Sequence, residues 1–196
     1  MADVRSLPVV DARTLDAERR AALRPGDIVV DELGVQRRLP CFFYEIASWQ
    51  IARETELAEN FALWELIEVD LHEVDALRIY PRYVPCAVIL LASLLSMLRQ
   101  RVSQPIRITA NGGYRSPSHR RSRASSTHSW GTAVNICRVG DEWLDTQPAI
   151  ERVAAIAARV VPAFWARPYG EGPGFADDHL HLDLGFATFV PRCRAR

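Results

Sequence analysis

With 196 residues and 48% hydrophobic side chains, the chain is long enough to bury one core and short for two. Its 24 basic and 24 acidic residues cancel, so no net field draws it to nucleic acid or to an anionic membrane, and neither is an expected partner. Every basic residue is arginine, which reads as base composition as much as function.

The first segment, MADVRSLPVVDARTLDAERRAAL, has no apolar run behind a basic stretch, so no signal peptide is expected and the cytoplasm is the expected compartment. A short helix is predicted around Leu15 to Leu23, ended by RPGD and followed by the extended DIVVDELGVQRRLPCFFYE. From Glu54 to Leu77 an acidic, leucine-rich stretch alternates helix and loop signals, and His72 within it reads as a surface or packing histidine. Pro85 to Arg101 predicts a buried helix with proline at its start, because Val88, Leu91, Leu94, Leu95 and Leu98 recur at helical spacing. Its apolar run, VPCAVILLASLLSML, is short for a membrane span.

PIRITA then reads as a short strand and NGGYRSPSH as a loop of the kind that carries binding groups. Thr132 to Val139 is a predicted buried strand with Ala133, Asn135 and Cys137 on one face. A helix follows, with Thr146 as N-cap and Pro148 in its first turn. The Gly- and Pro-rich RPYGEGPGFADD leads into HLHLDLG, and FATFV beyond Gly185 has the composition to pair back as a hairpin. Cys41, Cys86, Cys137 and Cys193 form no CxxC pair and suit thiols rather than a disulfide framework. The order of elements predicts one α+β domain, a small, mainly antiparallel sheet with flanking helices, with an N-terminal extension over residues 1–50 and a core over residues 60–190.

In the stretch FADDHLHLDLG, period two puts His179, His181 and Asp183 on one face and Leu180, Leu182 and Leu184 on the other. The leucines belong to a core; the histidines face a cleft or, in the plainer reading, solvent at an edge strand. Neighbouring strands lie about 4.8 Å apart, so side chains from two of them can converge on one small ion. A catalytic zinc site takes three protein ligands and leaves a position open, and His128, His181 and one oxygen donor meet that count. His119 and the arginines of its loop, Arg120, Arg121 and Arg123, read as surface residues.

The run GGYRSPSHRRSRASSTHSWGTAVNI followed by DDHLHLDLG resembles the zinc D-Ala-D-Ala peptidases of the hedgehog/DD-peptidase group, over about Asn60 to Gly185. That group's Ser-x-His-x-x-Gly-x-Ala-x-Asp element is matched by Ser126, His128, Gly131 and Ala133, its acid-x-x-His element by Asp178 and His181, and its Tyr-Arg-Ser loop by Tyr114, Arg115 and Ser116. The resemblance implies a zinc-dependent peptidase acting on a small peptide or peptidoglycan fragment that contains D-amino acids. It implies His128, Asn135 and His181 as metal ligands, Asp178 as general base, and His179 as a proton relay or stabiliser of the tetrahedral intermediate. Arg115 would bind the substrate carbonyl or carboxylate, with Tyr114 and Ser126 beside it and Asp183 behind the ligands.

One position departs from that pattern. Where the group has a zinc-binding aspartate, this chain has Asn135, a neutral donor in place of an anionic one, so metal affinity is expected to fall. Asp183 and Cys137 are alternative donors displaced by about 6.6 Å along their strands. The competing expectation is a binding module that keeps the pocket without turnover; a Cys–His hydrolase built on Cys137 finds no neighbouring base in the sequence.

Overall fold

The computed structural model describes residues 2–69, 71–123 and 125–192. The N-terminal part runs through β1 (Ala2–Asp3), β2 (Val9–Asp11), α1 (Ala17–Leu23), β3 (Ile28–Val30), β4 (Gln36–Arg38) and β5 (Phe42–Ile46). Asp16 starts α1 by accepting the Arg19 N–H at 2.9 Å, and Arg24 ends it in the left-handed region, as the residues around RPGD predict. Next come α2 (Trp49–Glu54), β6 (Thr55–Ala58), β7 (Phe61–Ala62), α3 (Asp75–Arg78), β8 (Arg82–Pro85) and α4 (Val88–Val102). The last part holds β9 (Ile106–Ile108), β10 (Ala133–Val139), β11 (Glu142–Trp143), α5 (Gln147–Val160), β12 (Trp165–Ala166) and β13 (Leu180–Asp183).

These elements make an α+β fold of small sheets, antiparallel except for the β1–β6 pair. The largest sheet has the order β11-β10-β13-β12, with β9 also paired to β10. Its β10–β13 register sets Ala133 opposite Asp183 and Asn135 opposite His181 on one face, and Val134 opposite Leu182 and Ile136 opposite Leu180 on the other. Those four apolar residues are fully buried, each contributing roughly 1.5–3 kcal/mol by leaving water. Leu184, beyond the end of β13, is only partly buried against the same core.

Helix α4 runs through that core on Val88, Leu91, Leu95 and Leu98, with Leu94 at the margin, and packs against α5. It begins three residues later than the sequence predicts, because Pro85 closes β8, opposite Phe43 in β5. Thr146 does precede α5, with Pro148 in the first turn, but its side chain makes no capping bond. The segment 186–190 forms no hairpin strand: both edges of β13 are already taken, by β10 and β12. The first fifty residues are built into the molecule, since β2 pairs with β5 and β5 with β8, and their apolar side chains join the same core cluster. Among the described residues no helix is long and apolar enough to cross a membrane. Cys41 and Cys137 are free thiols and Cys86 is buried; Cys193 lies outside the described residues.

Candidate functional site

His128 enters the site from a single 3-10 turn, Thr127–Trp130, which Gly131 closes with a φ of +70° before the chain runs into β10. A side chain at Gly131 would be strained in that left-handed conformation, so glycine is what permits the histidine and the strand to follow so closely. Asn135 and His181 then face each other across the β10–β13 ladder, and the His128 and His181 ring centroids lie 5.1 Å apart. The three residues expected as ligands are therefore brought together.

Their hydrogen bonds set the ring tautomers. Nδ1 of His128 lies 2.7 Å from the Gly113 carbonyl, which can only accept, so Nδ1 carries the proton and Nε2 keeps its lone pair. Nε2 of His181 lies 3.0 Å from an Asp183 carboxylate oxygen and donates to it, leaving Nδ1 as the lone-pair nitrogen. That nitrogen lies 2.9 Å from Oδ1 of Asn135. Two lone-pair atoms facing each other at this separation repel unless the amide turns its NH2 to the ring or a cation shares both lone pairs. Turning the amide so that its NH2 donates to Nδ1 satisfies both groups without a cation.

Burial holds the His128 pKa well below the ordinary histidine range, helped by Arg115 and then His181. Burial also lowers that of His181, with Arg167 acting in the same direction and the Asp183 hydrogen bond opposing. Both rings are thus kept neutral near pH 7, the form that ligates metal. Among the described residues no three His, Cys, Asp or Glu side chains gather as a metal-holding group; the candidate third donor is the amide oxygen of Asn135, 2.9 Å from His181 Nδ1. Asp183 is not that donor: one oxygen is on His181 and the other accepts the Gly185 N–H at 2.7 Å. Cys137 is not either, its thiol lying 3.5 Å from the Arg107 carbonyl oxygen.

The remaining expected residues divide. Asp178 is exposed two residues before β13 begins and lies 2.5 Å from Nδ1 of His179, whose Nε2 is buried without a partner. Arg115 stands beside His128, its backbone N–H donating to the His128 carbonyl oxygen at 3.4 Å. Ser126 caps the 3-10 turn by position alone, with no side-chain bond. The ring of Tyr114 is packed in the core with a buried, unpartnered hydroxyl, and it lines a small space with Ile46, Ile67 and Tyr83. Its backbone N–H is held by the Leu66 carbonyl oxygen at 2.7 Å. His119 is likewise core rather than surface, 1% exposed, with Nε2 3.0 Å from Asn111 Oδ1 and Nδ1 accepting the Arg121 N–H.

Two residues at the site carry no local sequence signal. Trp165, on β12, sets its ring 6.1 Å from that of His181. Arg167, just past β12, donates its N–H to the His181 carbonyl oxygen at 3.0 Å. Only the pairing of β12 with β13 brings them there, and nothing in ARPYGEG announces that pairing. No family model, curated protein or solved structure matches the chain.

Proposed function

We propose that the chain is a metal-dependent amide hydrolase of the hedgehog/DD-peptidase type, acting on small D-amino-acid-containing peptides such as peptidoglycan fragments, with a metal site weakened by Asn135. The supporting observation is the meeting of His128, Asn135 and His181 with both ring tautomers set by hydrogen bonds on the far nitrogens. Nε2 of His128, Nδ1 of His181 and Oδ1 of Asn135 would hold zinc, which supplies a Lewis acid and lowers the pKa of a bound water toward about 7. Asp178, with an exposed carboxylate just before β13, would take a proton from the attacking water and return it to the leaving amine. With Nδ1 donating to Asp178, His179 would present a lone pair at its unpartnered Nε2, which suits it to relay a proton. Arg115 orients the substrate through a guanidinium that can give two hydrogen bonds to one oxygen-bearing group.

A second reading, a binding module that keeps the pocket without turnover, is favoured by one observation, the neutral amide where an anionic ligand would strengthen metal binding. Mass-spectrometric assay of D-Ala-D-Ala and L-Ala-D-Glu peptides separates the two. The Asn135→Asp protein with zinc is expected to cleave at least one of them faster than the native chain. Asp178→Ala in that background is expected to abolish cleavage with zinc still bound. A zinc-loaded Asn135→Asp protein that cleaves no peptide would establish the binding module. Brisk turnover by the native chain with stoichiometric zinc would refute the weakening assigned to Asn135.

A further inference from the structure

A space of about 450 Å³ opens where the chain entering β2 meets β5, α2 and the residue before β8, and none of the residues lining it belongs to the histidine site. Its walls are largely apolar, formed by Leu7, Pro8, Ile51 and Pro81. Small-molecule clefts occupy roughly 300–1,000 Å³ and take their specificity from a few polar groups set in such walls.

Two polar groups of this wall remain open to a ligand. Thr55, at the start of β6, is wholly buried, and its hydroxyl has no hydrogen-bond partner among the described residues. Its backbone N–H already donates to the Ile51 carbonyl oxygen, so the hydroxyl is what its side chain has left to offer. A buried hydroxyl without a partner is costly, and folded proteins rarely leave one so. Among the described residues that line the space, only Glu45 is charged. Its Oε1 accepts the Tyr83 hydroxyl at 3.1 Å, and no described cation pairs with the carboxylate. Two arginines of the surrounding elements are committed elsewhere. Arg19, whose charge acts on Tyr83, is paired with Asp16 at 2.6 Å, and Arg82 donates twice to the Arg78 carbonyl oxygen.

We propose that this space binds a small primary amine with an apolar body, the ammonium donating to the Glu45 carboxylate and the Thr55 hydroxyl while the hydrocarbon lies against Leu7, Ile51 and the two prolines. An ammonium has three N–H donors and no acceptor, so one head group serves both oxygens. An anionic head group would meet Glu45 as a like charge, and a neutral one would forgo the charge-assisted bond. The site shares no residue with the histidine pair and stands or falls separately from the hydrolase reading.

The test is an NMR titration of the native chain with isoleucine methyl groups isotopically labelled, following Ile51, whose resonance is identified by its loss in Ile51→Leu. Isoamylamine, isoamyl alcohol and isovalerate are the probes, since they share one branched hydrocarbon and differ in the head group. The amine is expected to shift the Ile51 methyl saturably, the alcohol to bind about tenfold more weakly, and the acid to give no saturable shift. Glu45→Gln is expected to weaken amine binding about tenfold or more, and Thr55→Val, which keeps the shape and removes the hydroxyl, about threefold or more. Thr55→Val also removes an unpartnered buried group, so it is expected to melt no lower than the native chain and carries the test if Glu45→Gln fails to fold. Glu151→Gln, exposed on α5, is expected to leave binding unchanged and so excludes a general charge effect. No saturable shift with the amine, equal binding of amine and alcohol, amine binding unaltered in either folded lining variant, or a Thr55→Val protein that melts well below the native chain would overturn the site.

Discussion

Gly113 shows how much of the site rests on single positions. Its carbonyl oxygen accepts from His128 Nδ1, and a Cβ there would overlap the Leu66 carbonyl, the same group that holds the Tyr114 N–H at 2.7 Å. Glycine is required because two stretches of backbone approach each other closely. Gly113→Ala is expected to cost about 1–3 kcal/mol in urea denaturation and to lower zinc affinity, by moving the acceptor that fixes the His128 tautomer. Unchanged stability and zinc affinity would show that the loop yields without consequence. The histidine pair was legible at this scale, because its spacing and the alternation of HLHLD need only local geometry. Arg167 and Trp165 were not, since a ladder between distant segments places them. His119 was misjudged because its burial depends on Asn111, which the loop folds back to meet.

Among the elements, strand edges account for most departures from the pattern. FATFV has strand composition and forms no strand, because β10 and β12 occupy both sides of β13. Pro85 resembles a helix start, yet it ends β8, with α4 beginning at Val88. The 3-10 turn Leu63–Leu66 gives a test of local electrostatics. Glu65 accepts the Ala62 N–H at 2.9 Å from a half-buried position, and burial raises its pKa above the ordinary value of 4.5. A raised carboxyl pKa means that the folded chain holds its proton longer than the unfolded one. The stability this gives is complete below about pH 4.5 and is lost as pH rises through the folded pKa. Glu65→Gln keeps an acceptor for Ala62 and removes the ionisation. It is expected to raise the melting temperature at pH 7, with the gain shrinking toward pH 4. A lower melting temperature at pH 7 would show that Arg99 and Arg107, which favour the charged form, outweigh burial.

For the whole molecule, the division into an extension and a core is a division of sequence only. Strands β2 and β5 complete a sheet with β8, and the apolar cluster runs from Val4 to Phe189. The α+β class followed from the order of helix and strand signals; the joining of the N-terminal part did not, because a β5–β8 ladder spans segments that the sequence pattern leaves independent. One apolar face of the β10–β13 sheet fixes the register, and the register in turn sets Asn135 against His181. The proposed metal at this arrangement is held weakly because Asn135 is a neutral ligand. Competitive zinc titration of the native chain, Asn135→Asp and His181→Gln tests it most directly. One zinc per native chain is expected, bound more tightly by Asn135→Asp by on the order of tenfold or more, and lost in His181→Gln. Failure of the native chain and of Asn135→Asp to take up zinc, or identical affinity in the two, would contradict it.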